Sequence, residues 1–408
     1  MQCDIIVIGS GPAGLAAAYT AARHGKRVLL FEKMSNPGMK LLASGGSRCN
    51  LTNNLELEEF AARFGKQWRF LLPALSNFHG EKLLNFFNSA GVPLELTDDL
   101  HYFPRSGKAR DVLELFTRRI TAAGGKILCG KKIVSISPGK NCRIETADGG
   151  IFSASAIICA CGGRGYPALG GSMAGYSLAE SLGHTITPLH PAMTGIICAD
   201  KKVAECAGIS IPDCIAQVVS KGRDKLSARG ELLFTHHGFS AFAILDLAGG
   251  IARMLEKTAS VPLMLDMLPQ LTENELQNHF SSWRNQGGTK KISTLLSEFF
   301  PKKLSLLLLD GNDPEISRWK KEDSIALLTR IKRGIWQING VENWEKAMVT
   351  EGGVSLKEIV PETLASKLHP NIFFAGEMLD VTGPCGGFNI TWALASGMLA
   401  GESASACS

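Results

Sequence analysis

Two hydrophobic periods alternate along the chain and mark out its elements. Residues 4–8, DIIVI, form an unbroken apolar run, the pattern of a strand buried on both faces. LAAAYTAARHG (15–25) reads as a helix of small residues closing at Gly25, and RVLLFEK (27–33) as a second strand. SAIICACGGRGYP (155–167) and NIFFAG (371–376) begin as further buried strands. Strands alternating with helices predict a doubly wound α/β sheet. From about 191 to 262 the pattern changes. TGIICA, CIAQVVS and ELLFTHHGFS are short strand-like runs broken by Gly, Pro and charged turns. From about 270 to 335 the runs lengthen: ENELQNHFSSWRNQ, ISTLLSEFF and EDSIALLTRIKRGI read as helices. From about 349 β-like character returns and leads into the last strand. No repeats or low-complexity linkers are present, so the middle region reads as nested rather than free-standing.

The first strand and helix enclose Gly9-Ser10-Gly11-Pro12-Ala13-Gly14, and the second strand ends in Glu32. Glycines permit the tight turn and close approach, the helix N-terminus holds a pyrophosphate, and the acid accepts from ribose hydroxyls. Glu32 disfavours a 2′-phosphate, so the pattern predicts FAD or NAD. The C-terminus separates the two. After NIFFAG come Glu377 and MLDVTGPCGGFNITWALASGMLAGESA, whose last part reads as a small-residue helix starting near Phe388 or Asn389. NAD needs no such returning segment, whereas FAD is long enough to use both. Glu377 suits a ribityl hydroxyl. The second helix N-terminus suits the flavin N1/C2 edge, where negative charge develops on reduction. Gly162 and Gly163 end a third strand in the position that borders a cofactor crevice. No second GxGxxG follows a strand, which argues against a separate NAD(P)H domain. CxxC is absent, which argues against a dithiol reductase.

Composition adds limits. Net charge is +5 over 408 residues, which compels no nucleic-acid partner, and no stretch of 18 residues is apolar enough to span a bilayer. The eleven cysteines show neither a disulfide framework nor zinc spacing, so the expectation is a reducing cytoplasmic compartment and no metal. LLASGGSRCNLTN (41–53) follows the second strand closely enough to fold back over a cofactor. Lys40, Arg48 and Asn50 are its candidate donors, and Cys49 reads as a small apolar filler, with a thiol relay to Cys385 as the alternative.

The chain resembles the BaiN/RdsA-type NAD(P)/FAD-dependent oxidoreductases, a group that includes aminoacetone-oxidase-like flavoproteins. The resemblance is carried in order by GSGPAGLAAA, KLLASGGSRCNLTN, YFPRSGKARDVLEL, GYSLAESLGHTITPLHPA, GELLFTHHGFS, VTEGGVSLKEI and FFAGEMLDVTGPCGGFNITWALASG. It implies a glutathione-reductase-like FAD domain (1–190 and 353–408). Nested in it are a small β-barrel (191–262, returning over 336–352) and a helical subdomain (263–335). The chain departs from the family pattern at Ser47, where a glycine is usual, and near Ala174, where an acid is usual. It departs again at Ala241 and Phe242, where glycine and proline are usual, and at Cys385, where no cysteine is usual. Motifs and resemblance together give the expected cofactor set: Gly9, Gly11, Ala13, Gly14, Glu32, Lys33, Lys40, Ser44, Arg48, Cys49, Asn50, Val134, Cys161, Gly162, Gly376, Glu377, Asp380, Gly387, Phe388, Asn389 and Ile390.

The expected activity is hydride transfer through flavin N5 on an unidentified small molecule, with NAD(P)H as a transient donor or an organic amine with O2 as the couple. His236, in a motif whose family counterpart faces the flavin, is the candidate for proton transfer, and His237 beside it is expected to be exposed. Arg105 and Lys108 in HYFPRSGKA are candidates to attract an anion at the entrance. Two alternatives belong to other classes. Residues 288–333 carry ten Lys and Arg against six Asp and Glu, which raises an RNA-modifying or RNA-binding flavoprotein, although interleaved acids and sparse aromatics favour a solvated helical face. The other is a flavin-binding protein without turnover.

Overall fold

The β-branched N-terminal run forms the strand Gln2–Ile8 at the centre of a mixed sheet in the computed structural model, which describes residues 2–219 and 226–407. On one side it pairs in parallel with Val28–Phe31, which pairs in turn with Lys126–Leu128. On the other it pairs in parallel with Ile151–Cys159. That nine-residue strand also carries Ile372–Phe374 in parallel at its end and Cys142–Thr146 antiparallel at its start, with Ile133–Ser137 beyond. The continuous apolar strands are explained by this placement, since the central three are covered on both faces. The helix Pro12–Arg23 packs along the C-terminal helix Phe388–Cys407. Small residues set the spacing: a Cβ on Gly397 would lie 2.2 Å from the Ala13 carbonyl oxygen.

Residues 52–122 add a part that the hydrophobic pattern did not announce. Thr52–Asn53, His101–Pro104 and Leu94–Thr97 form a small antiparallel sheet. Beside it, helices at Leu57–Ala62, Trp68–Asn77, Glu81–Ser89 and Ala109–Ala122 bury Phe60, Phe64, Phe87 and Phe116.

The chain divides into two compact units, Met1–His190 with Val349–Ser408, and Pro191–Met348. In the second unit Ile196–Cys198, Gly238–Ser240, Ser227–Phe234, Ser210–Val218, Val261–Asp266 and Gly334–Val341 form a closed six-stranded barrel. The run read as CIAQVVS lies in Ser210–Val218 and Val219; its last residue, Ser220, lies outside the described residues. Helices Glu273–Gln286, Lys302–Leu308 and Lys321–Arg333 bury Phe280, Trp283, Trp319 and Leu327 in a core shared with the barrel. Lys332 is buried there with every donor used, on Asp266 (2.8 Å) and on the carbonyls of Leu268 (2.8 Å) and Leu271 (2.6 Å). The expected fold class, a doubly wound α/β domain with a nested barrel and helical region, is the one observed.

Candidate functional site

The turn after the first strand makes one end of the site. Pro12 opens the following helix, a position where its missing N–H leaves no gap in the ladder. A Cβ on Gly14 would lie 1.8 Å from the Gly9 carbonyl oxygen, so only glycine lets helix and strand meet here. No atom lies within 4 Å of a Cβ position on Gly11, which leaves that face of the helix N-terminus open to an anion, with Ala13 buried behind it. Glu32 is 9% exposed. Its Oε2 accepts from the Ser10 amide (2.9 Å) and hydroxyl (2.5 Å), and its Oε1 accepts from the Met34 amide (2.8 Å). The carboxylate straps the glycine turn to the second strand. With about four lone-pair sites on a carboxylate, it keeps capacity for one more donor.

Around this end, Lys33 donates to the Ser172 hydroxyl (2.6 Å), and burial pushes its ammonium below the usual lysine range. Cys161 lies with Sγ 3.7 Å from the Ile8 carbonyl oxygen, and burial pushes its thiol up to about 12. Gly162 follows in the left-handed region. Val134 is 48% exposed and sits where the pairing of Ile133–Ser137 with its neighbour slips register, a bulge that takes one residue out of the ladder.

The second end meets the first through Gly376, where a Cβ would lie 2.7 Å from the Ala13 Cβ. Glu377 follows. Its Oε1 accepts from the Thr350 amide (2.9 Å), and Lys40 Nζ lies 2.9 Å from its Oε2. Lys40, expected as a donor to phosphate or flavin, is thus committed to an ion pair with another residue of the expected set. The Thr350 hydroxyl accepts from the Arg164 amide (2.8 Å), and its carbonyl accepts from the Thr382 hydroxyl (2.9 Å). Asp380 is half-buried and donates its amide to the Val354 carbonyl (3.1 Å).

The glycine-rich loop before the last helix is held by two asparagines. Asn389 accepts from the Gly383 amide (2.9 Å) and donates to the Gly383 carbonyl (2.8 Å), so its side chain positions the loop. Asn53 donates to the Gly386 carbonyl (2.8 Å). Phe388 turns inward and stacks on Phe60 at 4.6 Å. The first intrahelical bond runs from the Thr391 amide to the Gly387 carbonyl (3.0 Å), so the amides of Phe388, Asn389 and Ile390 stand ahead of the ladder.

The Ser44–Asn50 loop turns tightly. The Ser44 hydroxyl donates to the Leu41 carbonyl (2.6 Å), and the Cys49 amide returns to the Ser44 carbonyl (3.0 Å). Ser47 and Cys49 are both left-handed, with φ 68° and 62°. Arg48 is exposed, its guanidinium 4.6 Å from the centre of the Phe103 ring. Cys49 is fully buried, and burial pushes its thiol up to about 12, which keeps it neutral. All eleven cysteines are free, so no disulfide joins Cys49 to Cys385. Asn50 Oδ1 and Thr52 Oγ1 are buried without a hydrogen-bond partner.

Sequence reading missed Ser10, Asn53, Thr52 and Thr350. All four lie inside motifs that had been read, but the partners of Ser10, Asn53 and Thr350 come from distant segments, and the Thr52 hydroxyl has none among the described residues. His236 belongs to the second unit, where it is exposed with His237 in the turn closed by the Thr235 amide on the Gly238 carbonyl (2.9 Å). Among the described residues no group of His, Cys, Asp and Glu is placed to hold a metal ion, and no helix is long and apolar enough to cross a membrane.

Comparison with known proteins accords with this architecture. The chain is 32% identical over 406 residues to the 3-dehydro-bile acid delta(4,6)-reductase of Clostridium scindens, across 98% of both chains. It is 27% identical over 399 residues to the ribosomal RNA dihydrouridine synthase of Escherichia coli, across 96% of both. The solved 3-ketosteroid delta1-dehydrogenase from Sterolibacterium denitrificans shares the fold, with a TM-score of 0.55 at 11% identity over the whole of both chains. The family described as HI0933-like protein Rossmann domain matches residues 3–403. The chain belongs to this HI0933-like, BaiN/RdsA-type family of Rossmann-fold FAD-dependent oxidoreductases.

Proposed function

We propose that the enzyme holds FAD between the Gly9–Gly14 turn and the Gly376–Ile390 segment and moves a hydride between flavin N5 and a small organic molecule. The observation that carries this reading is the contact of the Pro12–Arg23 helix N-terminus with the end of the returning strand, Gly376 against Ala13, with an acid strapped at each end. The open face at Gly11 and the helix behind it would take the pyrophosphate, and the remaining lone pair of Glu32 a ribose hydroxyl. Glu377, fixed by Lys40 and Thr350, would face the ribityl chain, and the amides of Phe388–Ile390 the pyrimidine edge. Asn50 Oδ1 is an acceptor without a donor, which suits a ligand that brings an N–H, and Thr52 is a hydroxyl without a partner. Bound FAD supplies two-electron chemistry at N5. The protein's own residues anchor, orient and exclude water.

The name of the bile-acid relative supports a conjugated carbonyl compound as the substrate class. The electron donor to such a substrate is NAD(P)H, bound transiently; in the alternative couple an organic amine is itself the substrate oxidised and O2 the acceptor. Eleven free thiols fit a reducing cytoplasmic compartment. Anaerobic mixing of the FAD-loaded protein with NADH, NADPH and aminoacetone in turn tests the reading: one donor should bleach the flavin band completely. A flavin that none of them reduces overturns the proposed donors.

A second reading has one observation in its favour: relatives at 27% and 29% identity over 96% of this chain are named ribosomal RNA dihydrouridine synthases. On this reading the substrate is a uridine base in RNA. The basic residues of 288–333 lend it little support, since Lys291, Arg330, Lys332 and Arg333 pair with Asp313, Asp310, Asp266 and Glu273. A salt-dependent gel shift with a ribosomal RNA transcript would favour RNA, and absence of binding at low salt would remove it.

A further inference from the structure

The strand His101–Pro104 carries an imidazole to the glycine-rich loop. It is the middle strand of its small sheet, with His101 opposite Asn53 on one side and Thr97 on the other. Asn53 holds the Gly386 carbonyl, and Gly386, at φ 109°, has no room for a side chain: a Cβ there would lie 2.8 Å from His101 Nε2. The other ring nitrogen is held from behind. Nδ1 lies 3.0 Å from both carboxylate oxygens of Asp98, and Asp98 Oδ1 also accepts the His101 amide (3.1 Å).

The turn that presents Asp98 is unusual. Asp98 and Asp99 are both left-handed, φ 48° and 56°, and the Leu100 amide closes the turn on the Thr97 carbonyl (3.1 Å). Asn-Gly, Asp-Gly and Gly-Gly are the usual pairs at such positions, so Asp99 is the residue that departs from the preference. Burial raises the Asp98 carboxyl, but the hydrogen bonds from His101 outweigh it and leave the group below the ordinary carboxylate range. An ionised Asp98 therefore accepts the hydrogen bond from Nδ1–H, which keeps its proton on the ring and leaves Nε2 as the nitrogen that faces the loop.

We propose that His101, held by Asp98, is the proton-transfer residue of the reaction. This rests on the reading of the glycine-rich loop as flavin-binding. When a substrate C=C or C=O bond is reduced, one carbon gains a hydride from the reduced cofactor and the neighbouring atom gains a proton. His101 Nε2 gives that proton, and the ring is left neutral. Oxidation of a substrate runs the same transfer backwards. The side chain is 22% exposed, so solvent restores the proton, and a reduced nicotinamide or another two-electron donor restores the cofactor. The charged and titratable groups around the ring are Asp98 and Asp99 in the turn, Cys385 beside Gly386, and Arg48, which lies over Phe103 on the same face of the strand.

The test is the midpoint potential of the FAD-loaded full chain from about pH 5 to pH 8, in the wild type and in H101Q, D98N and H236Q. An imidazole that takes up a proton when the flavin is reduced adds one proton per electron pair to those the flavin itself takes up, in the interval where the imidazole titrates. H101Q should take up one proton fewer per electron pair than the wild type in that interval with FAD still bound, D98N should move the interval to lower pH, and H236Q should match the wild type. Asp98 is largely exposed, so D98N decides the matter if H101Q does not fold. H101Q or D98N with the wild-type profile and a full complement of FAD overturns the inference alone. Wild-type protein that takes up no FAD overturns the flavin-loop reading and the inference with it.

Discussion

Replacing Glu32 by alanine tests the first end of the site twice, in the apoprotein and in the complex. The side chain accepts three hydrogen bonds, and their donors differ in what they can find instead. Ser10 is fully buried, so its amide is stranded. Its hydroxyl can rotate, and Met34 is half-exposed, so water can serve the Met34 amide. One stranded buried donor costs about 1–3 kcal/mol, and the apoprotein should lose that amount in urea unfolding. The lost ribose contact should cost about 1–3 kcal/mol more in FAD binding, roughly a 5- to 150-fold rise in Kd by fluorescence titration. Glu32→Gln keeps a carbonyl for Ser10 and loses only the exposed Met34 bond, so its apoprotein should lose less than about 1 kcal/mol. A Glu32→Ala protein with an unchanged urea midpoint and an unchanged FAD Kd would refute both halves of the reasoning.

Three further predictions concern the rest of the chain. Ala241 sits at φ 71°, ψ −176°, a region that is nearly glycine-only, so Ala241→Gly should stabilise the protein by about 0.5–2 kcal/mol in urea; a lower midpoint would contradict this. Cys49→Ser should keep the flavin and most of the turnover with whatever donor reduces the wild type, because the thiol is neutral; loss of turnover with the flavin spectrum intact would restore a redox role. His79 packs 4.4 Å from Phe60, and burial pulls its pKa down to about 4. It therefore contributes stability above about pH 6.5 that is lost as the pH falls towards 4. His79→Phe should flatten that acid slope, and an unchanged slope would assign it to other groups.

The parts of the fold legible in the sequence are those whose signal is local. The strands at 2–8 and 28–31 and the helix at 273–286 announce themselves by unbroken or helical periodicity. The sheet at 52–104 does not, because its strands are two to four residues long and alternate too briefly to show a period. ELLFTHHGFS reads as one run but forms parts of two strands, since the Thr235–Gly238 bond reverses the chain between them. Long-range pairing hides most of the site chemistry. The partner of Lys40 is 337 residues away and that of the Asn53 side chain 333. Ser47 and Ala241 are visible in the sequence only as residues standing where related chains carry glycine. The structure supplies the reason for the glycine, a positive φ at both positions.

The most direct measurement of the central claim is a titration of the apoprotein with FAD, followed by gel filtration and the visible spectrum of the protein peak. The account predicts one FAD retained per chain, with a flavin band resolved by its protein environment, and a weaker hold in Glu32→Ala. A full-length, folded chain that leaves the column colourless at saturating FAD would contradict it.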